Sequence, residues 1–306
     1  MNFSSFDYFI VLARERNFTR AAQQLHITQQ SLSSHIASLE EELGCLLLVR
    51  HVPLELTYAG TVFLKYAKSI QQELSNMHRE FCDITENQKG ILRVGIAFTR
   101  GRAIMPRLIS KFQELYPNIE VHISEAANKA LLYNLLEGEI DLAIANFEGT
   151  VQDVDLLDFY EENVVLLVEN KLMQQLERGN KNIALQISRG DFSGLSSCPF
   201  LLGSYDNIAG RIGRTLIEKA GFKPIIKTTS DNIETLLLLC LQGVGACFCP
   251  ENLAKAVIPP GVFEKINLFH LGEQAQYPIR FGFLKTSYQW KIISEFIRMA
   301  QRNIVE

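Results

Sequence analysis

Between Asn17 and Gly44 two short helical patterns follow one another with little room for a turn. Leu25 closes the apolar face of the first, and Ile27 is an apolar plug in the break. Thr28 is placed to cap the second helix, and Gly44 holds the left-handed position that ends it. Within that helix Leu32, Ile36, Leu39 and Leu43 recur at spacings of 4, 3 and 4, which makes one buried stripe. The residues left facing out near its start are polar: Gln29, Gln30, Ser33 and Ser34, with Ser31 and His35 beside them. Glutamine amides match adenine edges, serine hydroxyls serve bases or phosphates, and a helix N-terminus favours phosphate. Such a pair is a helix-turn-helix, whose second helix is built to enter the DNA major groove. Thr28, Gln29, Gln30, Ser31, Ser33, Ser34 and His35 are therefore expected at DNA.

Around this pair, Ser4 or Ser5 is expected to cap a first helix through Phe6, Phe9, Ile10 and Ala13. Thr19 is expected to cap the next, where Ala21 and Ala22 let another backbone come close. After Gly44 two extended pieces, 46–50 and 54–56, turn around Pro53 and read as a wing carrying Arg50. The charge is unusual for a phosphate-driven binder. Residues 1–60 hold four arginines, no lysine and six carboxylates, a balance of -2 within a chain of net charge -4. A shallow salt dependence follows, with helix dipoles and polar side chains carrying much of the contact.

From Thr57 a long helix is expected over 59–89. Its apolar positions, Phe63, Tyr66, Ile70, Leu74, Met77, Phe81 and Ile84, fall at spacings of 3, 4, 4, 3, 4 and 3. A long helix between two compact domains has little of its own chain to pack on. Phe63, Tyr66, Ile70, Leu74, Met77 and Phe81 therefore read as a dimer seam. Two heads on one dimer could then span successive turns of the groove.

From Leu92 the pattern changes to strands alternating with helices, a parallel α/β arrangement. ILRVGIAF, EVHIS, DLAIA, VVLLVE, PFLLG, IIKTTS, GACFCP and IRFGFL read as strands. Helices are expected at 104–116, around Leu131 to Leu136, and at 208–220, 233–242 and 292–301. Ligands of open α/β sheets bind beyond the carboxyl ends of strands. That rule selects Thr99, Arg100 and Arg102, then Asn128, Asn146, Ser204 and Tyr205, as effector-binding candidates. Either arginine could pair with a carboxylate or face solvent. Asn146 could touch ligand or bond its own loop. Tyr205 could stack on a ring or cover a loop. The arginines and the helix start give a weak preference for an anion.

The strings NFTRAAQQL, TQQSLS, IxxLExxLG and LTxAG, in that order, strongly resemble the LysR-type transcriptional regulators. IMPRLISKFQELYPNIEV, LLEGEIDLAIA and LLLLCLQGVGACFCP resemble the effector domain of that family. The likeness implies an α/β protein overall: a winged helix-turn-helix at 1–58, a linker helix at 59–89 and a periplasmic-binding-protein-like effector domain at 90–306. Two α/β subdomains, 91–163 with 267–306 and 164–266, would enclose a cleft. It also implies a homodimer or tetramer on operator DNA, a small-molecule effector and contact with RNA polymerase. Two departures stand out. Gln30 occupies a position usually proline, and the wing has one arginine where several are usual.

Neither a GxSxG, a P-loop, an HExxH nor a GxGxxG after a strand appears, so no catalytic residue, cofactor or metal site is expected. The runner-up reading, a solute-binding protein of a transport system, is opposed by the DNA-reading head and by an N-terminus unlike a secretory signal. No apolar run approaches the roughly 18 residues of a membrane span, and the setting expected is the cytoplasm. The six cysteines form no CxxC pair, so they read as free, mostly buried thiols, with a redox or metal role as the alternative. Cys198, in SSCP, is the expected exposed one.

Overall fold

The computed structural model describes residues 3–51, 53–85, 89–286 and 288–304. Contacts divide the chain into two compact units: residues 1–90 with 286–291, and residues 91–285 with 292–306. Val52 of the expected wing lies outside the described residues.

The first unit opens with helices α1 (Phe3–Glu15), α2 (Phe18–Gln24) and α3 (Gln29–Leu43). Asn17, not Thr19, caps α2, its side chain accepting from the Arg20 N–H. Thr28 caps α3 by accepting from Ser31 N at 3.1 Å, and Gly44 ends it at φ 67°. Leu32, Ile36 and Leu39 are buried, but Leu43, the last member of the expected stripe, is exposed. Strands β1 (Leu48–Val49) and β2 (Glu55–Leu56) pair antiparallel as the wing. Thr57 then caps α4 (Tyr58–Ile84), accepting from Gly60 N at 2.9 Å. A Cβ on Gly60 would strike the Leu47 carbonyl oxygen, so only glycine lets α4 pass the wing this closely.

The head's core joins Phe6, Phe9 and Leu12 of α1, the two alanines of α2, the α3 stripe, and Phe63 and Ala67 of α4. Phe63 stands edge-on to Phe9 at 5.0 Å and stacks on Phe6 at 5.8 Å. Burying a phenylalanine fully is worth about 1.5–3 kcal/mol, so Phe63 binds the N-terminal end of α4 to its own head.

The second unit contains most of β3 (Gly90–Ile96), then α5 (Phe98–Leu115), β4 (Ile119–Glu125), α6 (Asn128–Leu136) and β5 (Leu142–Ala145). A 16-residue strand, β6 (Val154–Glu169), carries the chain onward to α7 (Asn170–Gly179) and α8 (Ile183–Ser188). After these come β7 (Pro199–Gly203), α9 (Ile208–Lys219), β8 (Ile225–Ser230), α10 (Ile233–Leu241), β9 (Ala246–Pro250), α11 (Glu251–Val257) and α12 (Pro260–Phe263). The last elements are β10 (Ile266–His270), β11 (Gln276–Leu284) and α13 (Lys291–Ile304).

The strand order is β4-β3-β5-β11-β6-β9-β7-β8, with β10 also on β6. On one side β5 is parallel to β3 and antiparallel to β11; on the other β9 is parallel to β7 and antiparallel to β6. Residues 154–163 of β6 pair with β11, while 164–167 pair with β9 and 165–169 with β10. One strand thus serves both α/β halves. The return crossing follows His270 rather than Ile266, because β10 stays with the second half.

Helix α5 begins six residues before the expected start at Ile104. Pro106 lies inside it, although proline lacks the N–H that a helix interior uses. Thr99, Arg100 and Arg102 therefore sit in the opening turns of a helix instead of a loop. No helix among the described residues is long and apolar enough to cross a membrane.

Candidate functional site

On the head, Gln29, Gln30 and Ser34 are exposed, with Ser31, Ser33 and His35 half-buried. Thr28 is exposed and committed to its cap. Gln29 Oε1 accepts from Thr19 Oγ1 at 3.1 Å, so α2 orients that amide and leaves its NH2 group free to donate. His35 packs edge-on to Tyr8 at 4.9 Å, which ties it partly to α1. Arg50 is held by Glu40, a carboxylate only 6% exposed, at 2.8 Å. Glu40 Oε1 also accepts from Leu47 N at 2.8 Å and Leu48 N at 3.2 Å, fixing the chain that leads into the wing. Arg14 is paired with Glu15 at 3.6 Å. Two of the head's four arginines thus meet carboxylates of their own chain, while Arg16 and Arg20 have no ion-pair partner among the described residues.

Helix α4 has two apolar faces. Gly60, Phe63 and Ala67 are buried on the head's own core, and Ile70 packs partly against it. Tyr66, Met77, Phe81 and Ile84 are exposed, and Leu74 is half-buried. Phe63 is therefore corrected from seam residue to core residue, because its ring fills space between Phe6 and Phe9.

In the second unit a cavity of about 660 Å³ lies at the carboxyl ends of β3, β4, β7 and β8. Thr99, Arg100, Arg102, Asn128 and Ser204 line it, as the strand-end rule led us to expect. Asn146 and Tyr205 do not. The Asn146 side chain donates to the Pro278 carbonyl at 2.8 Å, and its backbone N–H donates to Asn128 Oδ1 at 3.3 Å. It steadies a lining residue from behind. Tyr205 is exposed; its hydroxyl meets Glu218 at 3.3 Å, and Arg214 lies over its ring at 4.8 Å.

Arg100 is neither in solvent nor fully paired. It is 4% exposed, and its Nε has no hydrogen-bond partner. One Nη reaches Asn128 Oδ1 at 3.5 Å, and the guanidinium carbon lies 5.9 Å from the centre of the Tyr277 ring. Behind it stands Glu162, 1% exposed, accepting from Tyr160 Oη at 3.0 Å. Burial pushes the Glu162 carboxyl up, and the Arg100 charge pulls it partly back. Burial likewise raises the phenols of Tyr160 and Tyr277, so both stay neutral donors at ordinary pH. Arg102, more exposed, pairs with Glu234, joining α5 to α10 across the cavity.

The strand-end rule reached Asp206, beside Ser204 and Tyr205, but passed over Asp231; both line the cavity one residue before a helix cap. Asp231 directly follows β8, so the same rule reaches it. Tyr277 and Glu162 come from long strands far off in the chain and carry no local mark. Cys198 is corrected as well: it is fully buried, and burial pushes its thiol up to about 12. Cys240, Cys247 and Cys249 are buried too, leaving Cys45 exposed and Cys82 half-exposed. No cluster of metal-ligating side chains occurs among the described residues.

Residues 3–61 match the family described as bacterial regulatory helix-turn-helix protein, lysR family, and residues 85–304 match the LysR substrate binding domain. The chain belongs to the LysR family of transcriptional regulators. It is 29% identical over 248 residues to a "Probable RuBisCO transcriptional regulator" of Thalassiosira pseudonana, covering 80% of this chain and 79% of that one. It is 27% identical to the "Uncharacterized HTH-type transcriptional regulator YcgK" of Bacillus subtilis (strain 168), covering 99% of this chain and 95% of that one. The crystal structure of full-length CbnR complexed with target DNA shares the fold at a TM-score of 0.62, with 23% identity and 99% of both chains covered. A LysR-type regulator binds DNA through its first domain and a small-molecule effector through its second, and this chain carries both.

Proposed function

We propose that this regulator binds operator DNA as a homodimer, or a tetramer built from two, and reports the occupancy of the cavity beside Arg100. The observation that carries the effector half is Arg100 itself: a cation only 4% exposed, on the wall of a cavity sized for a small molecule. It supports an anionic group on the effector. The exposed apolar side chains of α4, Tyr66, Met77 and Phe81, support helix pairing between protomers. Gln30 and Ser34, open on α3, support base readout in the major groove, with Gln29 and Ser33 beside them.

The protein acts by binding, in the cytoplasm with the DNA it reads. Effector binding favours one arrangement of the two α/β halves, by no more than its difference in affinity between them. In the oligomer that bias alters the spacing of the reading heads, and with it DNA bending and access for RNA polymerase.

The test is fluorescence anisotropy of purified full-length protein on DNA upstream of its own gene, across a range of salt. Specific binding with a shallow salt slope is expected. No preference over scrambled DNA refutes operator binding by this head. A slope equal to about eight or more neutralised phosphates per dimer refutes the polar mode of contact.

A further inference from the structure

The first unit is completed by a short segment from far along the chain. Thr286–Lys291 follows β11 and runs into α13, yet its contacts group it with residues 1–90. Three of its groups meet the C-terminal turns of α4. Tyr288 Oη donates to Asp83 Oδ2, and the backbone N–H of Lys291 donates to the same oxygen at 3.1 Å. The Arg79 guanidinium carbon lies 4.8 Å from the centre of the Trp290 ring. That indole is buried, and a Cβ on Gly90 would stand 3.1 Å from two of its atoms. The Tyr288 phenol, raised by burial and by the Asp83 carboxylate, stays a neutral donor.

Lys291 is the first residue of α13, so Asp83 serves one of the N–H groups that a helix start leaves open, at the end where the dipole favours a carboxylate. Further along α13, Phe296 meets Phe112 of α5 edge-on at 5.2 Å, both rings fully buried, and Asn303 accepts from Lys111 of α5. The opening turns of that same α5 put Thr99, Arg100 and Arg102 on the cavity. On the other side of the segment, β11 lines the cavity with Tyr277 at its start and ends at Leu284. The segment is therefore continuous with β11, which lines the cavity, and with α13, which packs on the helix that lines it. Asp83 itself follows directly on the stretch from Met77 to Phe81, whose exposed apolar side chains read as the dimer seam. We infer that Asp83 is a positioning residue for regulation: with Tyr288, Trp290 and the start of α13 it forms a clasp through which the state of the cavity reaches α4 and the paired heads. This role rests on the proposed coupling between cavity and operator.

The test uses full-length protein and a duplex from upstream of its own gene, with hydrogen exchange followed by mass spectrometry at residues 97–102 on the cavity wall. Trp290 is the one tryptophan of the chain, so its emission reports the clasp itself. In the wild type the duplex should shift that emission and change exchange at 97–102 by about fivefold or more, since coupling between two sites is reciprocal. Asp83→Ala should bind the duplex with unaltered affinity, sediment as the wild type does, and lose the change at 97–102. Tyr288→Phe, which keeps the Lys291 bond, should lose part of that change, and it replaces Asp83→Ala if circular dichroism shows the latter unfolded. An undiminished change in both variants overturns the clasp and leaves the coupling of cavity and operator standing. No change in the wild type overturns that coupling and the clasp with it. Loss of duplex affinity or of the dimer in folded Asp83→Ala overturns the positioning role, because Asp83 would then act on the head or the seam.

Discussion

Arg50 Nη2 lies 2.8 Å from Glu40 Oε2, so the wing's one arginine is anchored to the recognition helix before any DNA arrives. The other oxygen of Glu40 serves two backbone N–H groups. Leaving a buried donor unsatisfied costs about 1–3 kcal/mol. Glu40→Ala should therefore lower the melting temperature of the protein markedly. Arg50→Ala, which leaves both N–H bonds in place, should cost about 1 kcal/mol or less, the pair being partly exposed. Denaturant titration followed by circular dichroism compares them, and equal losses would contradict this division of labour.

The two faces of α4 separate under mutation. Phe63→Ala empties the head's core and should cost about 3–5 kcal/mol with little change in the affinity of protomers for one another. Met77→Asp and Phe81→Asp, on the exposed face, should yield folded monomers in sedimentation velocity. An unchanged dimer in both aspartate variants would move the seam elsewhere.

Thiol chemistry follows burial. With a thiol-reactive disulfide reagent, native protein should release product from Cys45 first and Cys82 more slowly. Cys198, with its thiol pushed up to about 12, and the buried Cys240, Cys247 and Cys249 should react only after unfolding. Prompt reaction of a third thiol in the native protein would refute this.

Glu162 makes stability depend on pH in a direction that can be stated. Its carboxyl is raised in the folded state by burial, so the native protein holds that proton more tightly than the unfolded chain. The contribution is fully present below the unfolded carboxyl range and is lost as pH rises through the folded value. Glu162→Gln removes this dependence. The melting temperature of the wild type should fall relative to the variant as pH climbs out of the ordinary carboxylate range. A constant difference between the two would show that Glu162 titrates normally.

The helix-turn-helix was legible because its signals are local: a cap at Thr28, a stripe from Leu32 to Leu39, a glycine at 44. The alternation of strands and helices likewise announced the α/β domain. Helix α4 misled because periodicity counts apolar residues without saying which neighbour each one meets: Phe63 fills the head's own core, while Met77 stays exposed. Pro106 hid the true start of α5, since proline normally marks a first turn. The strand-end rule found loops but not directions, so Asn146 and Tyr205 were included while Asp231 was missed. Glu162 and Tyr277 reach Arg100 only through the pairing of distant strands, which no local pattern records.

The shared strand β6 also bears on how the protein can be divided. Cutting between Asn163 and Val164 would separate the strand's β11-paired stretch from its β9-paired stretch, and each fragment would expose a raw sheet edge. The two α/β halves are thus not interchangeable cassettes. A shuffled gene that keeps one half must inherit the whole of β6, and recombination is tolerated only where it leaves that strand intact.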